Sequence, residues 1–65
     1  MKNVIVKKLD DGVLEVKLLI LDITTYAKDE QDVVVAVDEA IKSLKLQAQR
    51  EGCVETIQLI KLFLE

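Results

Sequence analysis

The chain opens on a β-branched run. Val4-Ile5-Val6 leads to Leu9, and Asp10-Asp11-Gly12 follows. An Asp-Gly pair between two apolar runs is a strong hairpin signal, because Gly takes the positive φ that the turn needs. From Val13 to Ile23 the side chains alternate. Leu14, Val16, Leu18 and Ile20 fall on one face; Val13, Glu15, Lys17, Leu19, Leu21 and Ile23 fall on the other. The first face is wholly apolar and is expected to be core. The second starts polar and turns apolar. Two antiparallel strands are predicted. Thr24-Thr25-Tyr26-Ala27 keeps the β-branched and aromatic composition of a strand, which predicts a short third strand after a bend at Asp22.

A helix is expected next. Asp29 is a good N-cap, with Glu30 and Asp32 in the first turn. Val33, Val34, Val37, Ala40, Ile41, Leu44 and Ala48 share one arc of a helical wheel. Residues 29–39 hold five acids and no base, and residues 42–50 hold Lys42, Lys45 and Arg50 and no acid. That gradient follows the helix macrodipole. Asp38 and Lys42 are spaced for an i,i+4 ion pair, and Gly52 stands where a helix-ending glycine belongs. The valine run Val33-Val34-Val35 favours a strand, but cap, wheel and charge together outweigh it. Val54 to Leu64 has apolar residues all around a helical wheel. As a strand, Ile57, Leu59 and Phe63 share one face while Ile60, Leu62 and Leu64 share the other. Apolar residues on both faces suit a strand covered on two sides, so a strand is favoured over a second helix. The expected class is α+β: one domain over residues 1–65, an antiparallel sheet of three to four strands with one helix packed across it, in the order β-β-(β)-α-β.

Composition narrows the chemistry. The 65 residues include no His or Pro, one Cys and two Gly. Without His, neither a Ser-His-Asp nor a Cys-His arrangement can be built within the chain. One Cys makes no structural zinc site and no internal disulfide. Cys53 is expected to be a small apolar residue at an element boundary. Asp10 and Asp11 could ligate a metal, but they read better as turn formers, since the spacing of a calcium loop is missing. Asp22 could be a buried functional acid, but it reads better as the mark of a strand bend. No catalytic, cofactor-binding or metal-binding residue is therefore assigned, and an enzyme is not expected.

The net charge of −3 argues against nucleic acid as a direct ligand. An acidic surface remains compatible with a basic protein partner. The acids between Asp29 and Glu39 could serve one, although a capped helix start also explains them. The opening Met1-Lys2-Asn3-Val4 begins no signal peptide, and no apolar run is long enough to cross a membrane. A cytoplasmic location is expected. A chain this short buries only about 60% of its unfolded surface, yet 51% of its residues are apolar. The surplus points to an interface, with a homodimer as its simplest form. Leu19, Leu21 and Ile23 on the second sheet face, Val35 and Leu46 on the far side of the helix, and Leu59 and Phe63 in the last segment are the candidate interface residues.

The run Asn3-Val4-Ile5-Val6-Lys7-Lys8-Leu9-Asp10-Asp11-Gly12, the alternating strand, and Thr24-Thr25-Tyr26-Ala27-Lys28-Asp29 lead into a helix containing Asp38-Glu39-Ala40-Ile41 and closing on Arg50-Glu51-Gly52. Over roughly residues 3–52 this pattern of spacing and caps resembles the N-terminal domain of HicB-type antitoxins. The resemblance implies a β-β-β-α-β fold, related in shape to double-stranded-RNA-binding folds. It implies a binder of a small ribonuclease toxin that also self-associates. The Pro-rich turn usual between that family's second and third strands has no counterpart in Leu21-Asp22-Ile23-Thr24-Thr25. Because the chain stops at Glu65, the family's C-terminal DNA-binding domain and its operator binding are not expected. The leading expectation is a small non-catalytic protein-interaction domain that neutralises a protein partner. The alternative is a phage or mobile-element accessory protein of the same fold, structural or anti-defence, acting as a homo-oligomer.

Overall fold

A computed structural model describes residues 3–65; Met1 and Lys2, where the reading of the chain's opening began, lie outside the described residues. Three strands precede two helices: β1 (Val4–Lys8), β2 (Leu14–Leu18), β3 (Ile23–Ala27), α1 (Glu30–Glu51) and α2 (Val54–Leu64). The fold is α+β. The sheet is antiparallel in the order β1-β2-β3.

The β1–β2 hairpin forms as its turn residues dictate. The Gly12 N–H donates to the Leu9 carbonyl and the Leu9 N–H to the Val13 carbonyl. Gly12 has a φ of +90°, and the Asp11 carboxylate accepts from the Val13 N–H at 3.0 Å. Asp11 thus closes a local Asx turn. The register pairs Val4 with Leu18, Val6 with Val16 and Lys8 with Leu14. On the other side Leu18 pairs with Ile23, Val16 with Thr25 and Leu14 with Ala27. Because side chains alternate along each strand, these residues share one face of the sheet. Leu14, Val16 and Leu18 are its buried centre.

The alternation expected to run on to Ile23 stops at Leu18. Residues 19–22 form the turn into β3, with Ile20 at φ +76° and Asp22 at φ +55°. Two left-handed residues reverse the chain and undo the alternation. Ile20, expected in the core, is 41% exposed. Leu21 and Ile23, expected on the opposite face, are half-buried against the core.

Helix α1 is capped at both ends. Asp29 accepts from the Asp32 N–H at 2.8 Å, and Asp32 in turn accepts from the Lys28 N–H at 3.2 Å. At the far end Gly52 has a φ of +66°. Its N–H donates to the Gln49 carbonyl, and the Cys53 N–H donates to the Ala48 carbonyl at 2.8 Å. This is a Schellman ending, which satisfies carbonyls left open by the last turn. The buried stripe is Val33, Ala36, Val37 and Ala48, with Ala40, Ile41 and Leu44 half-buried. Val34, expected within the stripe, is 59% exposed, and Ala36 takes the inner position.

The last segment is a helix, not the favoured strand. Cys53, Thr56, Ile57, Ile60 and Phe63 form its half-buried and buried positions, at spacings of three and four. Ile60 and Phe63 are buried. Leu59, Leu62 and Leu64 point away, and their exposure is why the composition looked apolar on every side. The 22 residues of α1 span about 33 Å, whereas a five-residue strand spans about 17 Å. The helix therefore outruns the sheet, and α2 packs mainly against α1. Phe63, near the end of α2, reaches the core formed by the sheet and the first half of α1. Asn3 fastens this end of α2: its side-chain amide donates to the Phe63 carbonyl at 3.4 Å, while its own carbonyl accepts from the Leu19 N–H.

Candidate interaction surface

The inner face of the sheet has three columns, and α1 lies over two of them. It lies closest to β3 and β2, and at β1 Val4 is half-buried against the core while Val6 is exposed. The effect is plain in one row of the register. Val16 on β2 is fully buried, while Val6, its partner on β1 and on the same face, is 46% exposed. Val4 and Val6 form one wall of a groove; Glu30, Val33 and Val34 of α1 form the other. Val34 also borders a second depression, between α1 and the end of α2, with Ile41, Leu64, Asp38 and Glu65. Val34 thus lines both depressions.

The seven candidate interface residues are scattered. Leu19 (42% exposed) lies in the β2–β3 turn, and Leu59 (40%) lies on α2. Val35 and Leu46 are exposed on one side of α1. They are eleven positions apart, about 16 Å along a helix, with Glu39 and Lys42 between on the same side. They make no continuous patch. Leu21 and Ile23 pack on the core, and Phe63 is core itself at 5% exposure. The helical spacing of α2 turns Phe63 inward. The sheet face away from α1 carries Ile5, Lys7, Glu15, Lys17, Thr24 and Tyr26. It is polar apart from Ile5 and Tyr26, and Lys17 sits 3.7 Å from Glu15. The exposed apolar residues are spread over the β2–β3 turn, α1 and α2, and on the inner face of β1 only Val6 is among them.

Val6 and Val34 were missed. Val34 read as a core position by its helical wheel, and Val6 was read only as part of the first strand. The signal available was numerical: one helical stripe is about one strand too narrow to cover three strands, so an edge strand stays bare.

Among the described residues no three of His, Cys, Asp and Glu come together as metal ligands. Cys53 is half-buried between the helices, its sulfur 3.0 Å from the Thr56 hydroxyl. Asp38 and Lys42 form the expected ion pair at 3.0 Å, with both side chains largely in solvent. No helix among the described residues is long and apolar enough to cross a membrane. The chain matches no model of a known protein family, no curated protein and no solved structure.

Proposed function

We propose that this chain is a small, non-catalytic, cytoplasmic protein-interaction domain that associates with itself and covers a basic protein partner. The observation that carries this reading is the uncovered inner face of β1. Val6 and Val34 leave a groove of apolar surface open beside a well-packed core, and such surface on a small domain favours a protein ligand. The net charge of −3 supports a basic partner over nucleic acid. The β-β-β-α order and its caps agree with what the resemblance to HicB-type antitoxins implies, and α2 stands where that family has a strand. On this reading the partner is a small ribonuclease toxin held inactive by contact.

Co-expression tests it. A short basic protein encoded beside this one should arrest growth alone, and growth should return when this chain is made with it. The two should also elute together from a sizing column. Recovery of neither growth nor a complex sinks the reading.

A further inference from the structure

We propose that the free edge of β1 pairs with β1 of a second copy, antiparallel, with the two Val6 residues facing each other across a two-fold axis. The inference rests on the interaction reading above and names the occupant of the groove.

The backbone sets the pairing. Bonds between β1 and β2 use the odd residues, as the Asn3 carbonyl to the Leu19 N–H and the Leu9 N–H to the Val13 carbonyl show at the two ends. In an antiparallel ladder the residues between them turn their main-chain groups the other way. Val4, Val6 and Lys8 therefore present N–H and C=O groups on the outer edge, with no strand beyond β1 among the described residues. Centring the axis on Val6 sets Val4 against Lys8 and Ile5 against Lys7. All three outward residues of each copy then bond, which gives six N–H···O=C bonds from three donors on each side. Shifting the axis to Ile5 or to Lys7 leaves only Val4 with Val6, or Val6 with Lys8, and the second shift opposes lysine to lysine. The Val6 register uses the whole strand and keeps like charges apart.

Side chains agree. Val4 and Val6 lie on the inner face, so the pairing continues that face from one copy into the next and closes each groove with the other copy's valines. It also brings Lys8 of the second copy opposite Val4, a residue that shares its groove with Glu30. Glu30 makes no ion pair among the described residues. The β1 strand carries two lysines and no acid; the same Glu30 carboxylate also borders Lys8 and Lys28 of its own copy. The chain exposes 4859 Å² at 7.3 kDa. A folded monomer of that mass is expected to expose about 4,160 Å². The excess of roughly 700 Å² is shared among exposed apolar residues of the β2–β3 turn, α1 and α2, with Val6 and Val34 contributing to it beside this edge. The β3 edge lacks this advantage, since α1 already covers its inner face.

Sedimentation of the full chain across a micromolar dilution series is the test, with three variants and circular dichroism as the check on folding. Wild type should sediment as a dimer. Val6→Pro removes an outward N–H and none of the bonds to β2, so it should give a folded monomer; Val6→Lys, which keeps the N–H, should do the same by charge. In a Cys53→Ser background, Val6→Cys should oxidise to an interchain disulfide. The proposed pair sets the two Cα atoms about 5.5 Å apart, within the roughly 4.4–6.8 Å that a disulfide spans. Val4→Cys should not cross-link. A wild type that stays monomeric at the highest concentration overturns the inference and leaves the toxin-binding test standing. A dimer that persists in folded Val6→Pro, or that cross-links through Val4 and not Val6, overturns the site. Loss of growth rescue with the dimer intact would instead count against the function proposed above.

Discussion

Asp29 begins α1 through a single short bond, 2.8 Å from its carboxylate to the Asp32 N–H. Asp29→Ala leaves that donor open and should cost about 1 kcal/mol, read as a lower urea midpoint with an unchanged slope. Asp29→Asn should lose little. Gly52 works by backbone alone. A Cβ there would meet nothing within 4 Å, yet φ is +66°. Gly52→Ala should therefore destabilise by about 1 kcal/mol through left-handed strain without any clash, and Gly52→Asn by less, since Asn tolerates that conformation. A thermal melt of the three proteins checks the order. Asp11, Gly12, Asp29 and Gly52 were all legible in the sequence, because each acts on its own neighbours. Asp22, read as the bend before the third strand, stands in the β2–β3 turn at φ +55°; Ile20 was not legible. A β-branched residue at φ +76° goes against local preference, and only the pairing of Leu18 with Ile23 holds it there.

Whole elements were legible where one face is clean. The stripe and charge gradient of α1 announce a helix despite three valines in a row, since packing of an apolar stripe outweighs a few tenths of a kcal/mol per residue of propensity. The stripe of α2 is equally regular, running Cys53, Thr56, Ile57, Ile60, Phe63. It was hidden by Val54, Leu59, Leu62 and Leu64, which are 40–64% exposed. A wheel reads apolarity and not burial, so a helix with apolar residues on its wet side looks like a strand covered twice. Gln58 separates the two structures. It is exposed and lies mid-helix, so Gln58→Pro removes no packing. It should nonetheless cost about 3 kcal/mol by breaking the helix and should free Phe63 from the core. Gln58→Ala should be neutral or slightly stabilising. Urea titration, with near-ultraviolet dichroism of Tyr26 as a check that β3 survives, distinguishes this from a strand, in which an edge-facing proline would be mild.

At the scale of the molecule, the packing has one main centre and one weaker one. The main cluster joins Leu14, Val16, Leu18 and Ala27 of the sheet to Val33, Ala36 and Val37 of α1 and to Phe63 of α2. Ala48 and Ile60 are buried but stand outside it, in the helical hairpin that overhangs the sheet. A particle 38 Å long and 17 Å thick spreads its apolar contacts thinly at that end. Local opening follows contact density, and units with few buried groups open at a fraction of the global free energy. Amides around Leu44 to Gln58 should accordingly exchange faster than those of Leu14–Leu18 and Val33–Val37, and their exchange should respond weakly to urea. The C-terminal turn of α2 should exchange more slowly than its start, reversing the usual fraying of a terminal helix, because Phe63 and the Asn3 bond pin it to the core. Uniform protection along both helices would show that the overhang folds with the sheet as one unit. Asn3→Ala should remove the reversal, leaving protection in β2 unchanged.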